Sequence, residues 1–208
     1  MSDTAISQQD QAVRSGLRER KKRLLQEAIE QAALKLFLQR GYEQTSIQDI
    51  AEAVMISPRT FFRYFPSKEE VLLGPTRAVM RAGLEHLRTL PLPRVQSENE
   101  AVRTALRAVL LYIAQLYQHQ RRSFLLRYQI ARQVPSVAAF YLYALLEAEM
   151  AFYDLLQERA GEAYECGRLR LLVATHVAAL RVALERWLDE GAEGDLQALV
   201  TSYLEALH

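Results

Sequence analysis

Between Gly41 and Lys68 the chain repeats helix-start and helix-stop signals at intervals too short for any long helix. The preceding segment, KKRLLQEAIEQAALKLFLQR, puts Leu25, Ala28, Ile29, Ala32, Leu36 and Phe37 at the i, i+3, i+4, i+7 spacing of a helix with one buried stripe. Gly41 ends it as a left-handed cap. Ser46, with Asp49 three places on, is a capping-box-like start for a second helix, SIQDIAEAV. Ser57 followed by Pro58 opens a third, with an N-cap and a proline at the first helical position. Pro66 stops that one, because an interior proline removes a backbone donor and clashes with the preceding turn. Ser67 and Glu70 write the next start. Two short helices joined by a turn from Val54 to Ser57 form a helix-turn-helix.

Such a unit lays its second helix in the major groove of DNA, with side chains near that helix's start at the base edges. The predicted reading helix runs from Ser57 to Tyr64. Arg59 and Thr60 stand in its first turn and Arg63 one turn later. Arginine bonds both acceptors of guanine, while threonine reaches a phosphate or meets a thymine methyl. Phe61 and Phe65, four positions apart, are predicted to point inward. Phe62 is either a thymine-methyl contact or a partly covered packing residue. Tyr64 and Lys68 fit phosphate contact, one with a hydroxyl and the other with a flexible cation.

The stretch GYEQTSIQDIAEAVMISPRTFFRYFPSKEEVL resembles the N-terminal DNA-binding domain of TetR-type transcriptional regulators. The likeness covers roughly residues 21–73 and rests on the glycine-aromatic pair, the T-S cap, I-A, S-x-x-T, the aromatic run and the S-K-E-E start. It implies three DNA-binding helices, a divergent helical domain that dimerises and often accepts a small effector, and repression relieved by that effector. Carried over by position, Ser46 matches the helix-two cap that meets phosphate. Ser57, Arg59 and Thr60 match the start of the recognition helix, Phe62, Arg63 and Tyr64 its next turn, and Lys68 the lysine that grips the backbone. Met55 stands where the family commonly has glycine, which predicts either a positive φ or a different turn. Arg59 also replaces a common glycine and adds a possible base reader.

The 208 residues are half apolar, with only 8 Gly and 6 Pro. Long runs of Ala, Leu, Glu, Arg and Gln favour helix over sheet, so an all-α fold is expected. The expected organisation is a flexible basic arm over 1–20, the helix-turn-helix domain over 21–66 and a larger helical ligand-binding and dimerisation domain over 67–208. No apolar stretch reaches the roughly 18 residues of a membrane span, and MSDTAISQQDQ has no apolar export region, so a cytoplasmic protein is expected. The lone Cys166 has no cysteine partner for a disulfide or zinc site. Residues 1–90 carry a net +3 and residues 91–208 a net −2. Arg14, Arg18, Arg20, Lys21, Lys22 and Arg23, opposed only by Glu19, read as a solvated helix start or as an arm touching phosphate.

Gly74-Pro75 predicts a kink or break in the fourth helix. LPLPRVQ, residues 90–96, reads as a linker. Ser97, Ser123, Ser136, Gly167 and Asp195 mark the starts of later helices. The helix between Arg168 and Glu190 is apolar around much of its circumference, as is LQALVTSYLEAL, and the family builds its dimers from the last two helices. A homodimer on a palindromic double-stranded DNA operator follows. Aromatic residues crowd the region from Tyr112 to Tyr153. They read either as core or as an apolar pocket with a few orienting hydroxyls, for which Tyr112, Phe124, Tyr128, Tyr153 and His176 are the candidates. The competing class, a helical carboxylate-bridged metal enzyme, requires two Glu-x-x-His motifs, and only Glu205 and His208 have that spacing. No enzymatic activity, cofactor or metal is expected. The sequence alone leaves open a constitutive DNA-binding protein without an effector, and activation in place of repression.

Overall fold

A computed structural model of the chain describes residues 3–91, 98–160 and 165–207. Among these residues every regular element is a helix. The order is α1 (Asp3–Arg40), α2 (Ile47–Ala53), α3 (Pro58–Tyr64), α4 (Lys68–Thr89), α5 (Glu98–His119), α6 (Arg121–Arg132), α7 (Pro135–Ala160), α8 (Cys166–Asp189) and α9 (Leu196–Glu205). The chain divides into two compact units, residues 1–72 and 73–208, six residues later than the boundary the cap signals mark.

In the first unit α1 extends back to Asp3, where a separate basic arm was expected over residues 1–20. The segment is rich in Gln, Arg, Glu and Ala, which lose little on entering a helix, so the α1 pattern has nothing to stop it N-terminally. Arg18, Arg20, Lys21, Lys22 and Arg23 are exposed along it. Arg14 lies outside the residues whose side chains are described. The buried stripe centres on Ile29, Ala33 and Phe37, while Leu25, Ala28, Ala32 and Leu36 flank it half-buried. Gly41 closes α1 at φ 85°, its amide donating to the Phe37 carbonyl at 3.0 Å. α2 packs on both α1 and α3. Ile50, Ala51, Phe61 and Phe65 are the buried residues that those contacts bring inward. Met55, in the turn between α2 and α3, adopts φ 55°, the left-handed value that glycine would take freely.

In the second unit α8 packs against α7 and α9, α5 against α8 and α9, and α6 against α7. Leu106, Leu110, Ile113, Leu156, Val173, Leu180 and Trp187 are buried in one continuous core. α4 runs unbroken through Pro75, where the sequence predicts a kink or break. Gly83 on α4 lets α5 close in: a Cβ there would stand 2.5 Å from Ile113 Cδ1. The guanidinium of Arg159 caps the far end of α4, donating to the carbonyls of Leu87 and Leu90. Asp195 caps α9 by accepting from the amides of Gln197 and Ala198. The predicted linker at 90–96 and the Ser97 start fall almost wholly outside the described residues, as do Gly161 and His208.

A seven-residue helix such as α3 is too short to persist alone, so the burial of Phe61 must hold it. Phe61→Ala is expected to destabilise the first unit by about 3–5 kcal/mol. Urea unfolding followed by far-ultraviolet circular dichroism would show the loss.

Candidate functional site

Ser57 caps α3, its Oγ accepting from the Thr60 amide at 3.1 Å and lying 3.0 Å from Thr60 Oγ1. Phe61 is fully buried and packs on Phe65 with ring centroids 5.8 Å apart. That anchoring turns the opposite face of the helix outward. Arg59, Phe62 and Arg63 are exposed there, with Thr60 and Tyr64 half-buried beside them. Neither Arg59 nor Arg63 makes a hydrogen bond or ion pair among the described residues. The Arg63 guanidinium lies 5.3 Å from the centre of the Tyr64 ring. Phe62 meets Phe61 edge-on at 5.8 Å, yet 52% of its surface is exposed, so one face is held and the other is free. Fewer than two turns therefore present two guanidinium forks, an aromatic face and a phenol.

Ser46 and Lys68 are differently placed. Ser46 forms the capping box of α2: its amide donates to Asp49 Oδ2 at 2.8 Å, and its hydroxyl accepts from the Asp49 amide at 3.1 Å. The same hydroxyl donates to Asp49 Oδ2, and these bonds hold the Asp49 carboxyl below the usual carboxylate range. Ser46 thus has its proton committed to a carboxylate. Lys68, expected at phosphate, turns back toward the first unit's own backbone. Its Nζ donates to the carbonyls of Tyr42 at 2.7 Å and Thr45 at 3.0 Å, and sits 4.0 Å from the Tyr42 ring centre. The Tyr42 hydroxyl donates to Glu69 Oε1 at 2.7 Å, and burial followed by that carboxylate pushes the phenol far above its ordinary range. Lys68 and Tyr42 thereby tie the turn after α1 to the start of α4. Partners 23 and 26 residues away leave no trace in local sequence.

The second unit holds a cavity of about 230 Å³. Of the five pocket candidates, Phe124 and Tyr128 line it, and Tyr112, Tyr153 and His176 lie elsewhere. Tyr112 stacks on His86 at 4.4 Å, Tyr153 lies under the Arg170 guanidinium at 5.2 Å, and the buried His176 bonds the Leu172 carbonyl through Nδ1 at 2.8 Å. In their place Thr76, Tyr117 and Tyr141 bring hydroxyls from α4, α5 and α7. Aromatic spacing alone cannot separate Tyr117 and Tyr141 from Tyr112 and Tyr153, and nothing in the sequence marks Thr76.

Burial raises the Tyr117 phenol well above its usual range and pushes Tyr141 up to about 12, so both stay protonated donors. The Thr76 hydroxyl is close enough to favour the ionised form of each. Even so, it closes no hydrogen bond among the described residues while being only 2% exposed. A hydroxyl so left costs about 1–3 kcal/mol. At the cavity's edge Arg181 pairs with Glu185 at 2.7 Å and Arg132 with Asp189, which also accepts from the Tyr128 hydroxyl at 2.9 Å. Burial, then that bond, pushes the Tyr128 phenol up to about 12. Among the described residues no cluster of three or more His, Cys, Asp or Glu could hold a metal, and no helix is long and apolar enough to cross a membrane.

A capped two-turn helix with a basic, aromatic outer face, set after a short helix and a tight turn, defines a helix-turn-helix DNA-binding protein. The family model of bacterial regulatory proteins, tetR family, matches residues 29–74. The HTH-type transcriptional regulator TcmR of Streptomyces glaucescens is 35% identical over 195 residues, spanning 92% of this chain and 85% of the relative. The chain belongs to the TetR family and is a DNA-binding transcriptional regulator. Among solved structures, the TetR-family repressor FadR of Thermus thermophilus, in complex with lauroyl-CoA, is 24% identical with a TM-score of 0.54. That match spans 88% of this chain and 92% of FadR. A transcriptional regulator from Aquifex aeolicus matches with a TM-score of 0.53 at 17% identity, over 88% of this chain and 96% of its own. These two likenesses support the all-α fold.

The Lys68 geometry separates two roles. Lys68→Met is expected to lower the unfolding free energy by about 1–2 kcal/mol through loss of its two carbonyl bonds and ring contact. DNA affinity should fall while the slope of log affinity against log salt stays unchanged. A lysine neutralising a phosphate would instead reduce that slope by about one.

Proposed function

We propose that the protein is a homodimeric repressor that reads a palindromic operator with α3 and is released when a small, largely apolar effector enters the second unit's cavity. The observation that carries the DNA reading is the pair of exposed arginines, Arg59 and Arg63, without hydrogen-bond or ion-pair partners among the described residues and flanking the exposed Phe62 on an anchored helix. In this reading the two guanidinium groups bond guanine edges and Phe62 meets a thymine methyl. Thr60 and Tyr64 touch phosphate or a base edge near it, while Ser46, Ser57 and Lys68 act chiefly by fixing the helices that carry these groups. Such a protein works in the cytoplasm, beside the DNA it regulates, and catalyses no reaction.

The dimer reading rests on exposed apolar surface across the last helices of the second unit. One hollow is lined by Ala178, Val182 and Leu207 of α8 and the chain following α9, and a second by Leu142, Leu146 and Ala178 of α7 and α8. Ala178 belongs to both, so the two hollows adjoin from α7 to the chain after α9, with Glu149 and Arg181 among the apolar residues of the second. Surface of this kind marks an association site. A two-fold dimer would offer two copies of α3 to successive half-sites about 34–36 Å apart. An effector releases such a repressor by binding the DNA-incompetent arrangement better than the competent one.

Selection from random-sequence DNA with the purified protein is expected to return a palindrome. Failure to enrich any sequence would sink the repressor reading. On the recovered operator, Arg63→Ala should lower discrimination at one base pair per half-site by about 1–3 kcal/mol, with affinity for unrelated DNA falling far less. Val182→Glu, placing a charge in the apolar surface, is expected to shift sedimentation from dimer to monomer. Operator affinity should fall with it, and a variant that remained dimeric would relocate the interface.

A further inference from the structure

We propose that the cavity of the second unit selects a neutral, largely apolar molecule that points a carbonyl-type acceptor at Thr76, Tyr117 and Tyr141. The inference rests on the reading of this cavity as the effector site and names the chemistry it takes. The volume of about 230 Å³ exceeds the roughly 150 Å³ that holds benzene, so an apolar body larger than benzene fits. Phe124, Leu142, Leu145, Leu184 and Leu188 give that body apolar walls.

The polar end of the ligand is set by the three hydroxyls. Thr76 Oγ1 is buried and closes no hydrogen bond among the described residues, although it lies near both phenols. A carbonyl oxygen has two lone pairs and is the small acceptor that would take O–H donors converging from α4, α5 and α7. The acids paired with the two arginines of the lining set the ligand's charge. Arg181 is matched by Glu185 and Arg132 by Asp189, so a carboxylate or phosphate group arriving there meets carboxylates as well as guanidinium groups. Arg127, whose charge reaches Tyr141, is held by Ser123 and does not line the cavity. A phosphate-bearing acyl-CoA is therefore a poor match, whatever the shared fold accommodates elsewhere.

Calorimetric titration of the full chain with 9-fluorenone, fluorene, 9-fluorenone-4-carboxylate and lauroyl-CoA tests the assignment. Fluorenone is expected to bind at least tenfold tighter than fluorene, which lacks the oxygen, and at least tenfold tighter than either anion. Thr76→Val and Tyr141→Phe should each erase most of the fluorenone preference while leaving fluorene binding within about twofold of the parent. Thr76→Val should also raise the ligand-free Tm by about 2 °C or more, because it removes a buried hydroxyl with no closed bond. Equal affinity for fluorene and fluorenone, preference for an anion, or no binding by any of the four overturns the ligand class. The effector reading fails separately, if bound fluorenone leaves operator affinity unchanged.

Discussion

The burial of Phe61 decides whether α3 forms at all. A helix as short as Pro58–Tyr64 sits well below the length at which helical hydrogen bonds outweigh the ordering of the backbone. The Ser57 cap and Pro58 lower that cost at one end, and Phe65 closes the other by returning its amide to the Phe61 carbonyl at 3.0 Å. Neither device supplies a driving force comparable to an aromatic ring removed from water. With Phe61 inward, the 100° step of the helix forces Arg59, Phe62 and Arg63 to the other side. The exposed face of α3 is thus the complement of a core contact, and its polarity follows from where one phenyl ring goes.

Caps and turns written within four residues of each other were legible from the sequence, whereas the equally local Gly74-Pro75 pair was misleading. The Ser46–Asp49 box, the Ser57–Pro58 start, the Gly41 stop and the Asp195 cap all depend on neighbours in the chain, and each stands where its residues indicate. Groups that depend on distant partners were not legible. Lys68 looks like a free cation in sequence, and only the folded first unit supplies the Tyr42 and Thr45 carbonyls that hold it. The cavity takes one hydroxyl each from α4, α5 and α7, and a run of nine aromatic residues gives no means of knowing which of them share a space. Likewise α1 continues through the basic run because charge says where a segment is solvated, whereas propensity says whether it is helical.

The two units treat arginine in opposite ways. On α3 the guanidinium groups have no carboxylate partner among the described residues, which leaves them able to exchange water for base edges or phosphate. Around the cavity each arginine of the lining already has an acid beside it. Pairing of this kind gives little stability at an exposed site, but it cancels the field that would draw an anion. The same residue type therefore advertises charge in one unit and conceals it in the other. Nucleic acid would be drawn to one and an uncharged molecule tolerated by the other, and net charge alone hides the difference.

Met55 carries a constraint of another kind. Its side chain is 94% exposed and touches almost nothing, so chemistry at this position is nearly free. Its backbone, at φ 55°, is not. Glycine, asparagine and aspartate can occupy such a conformation at small cost, an unbranched chain like methionine tolerates it, and valine, isoleucine or threonine would resist it. Divergence of this turn would therefore look random in polarity, charge and size while remaining closed to every residue branched at Cβ.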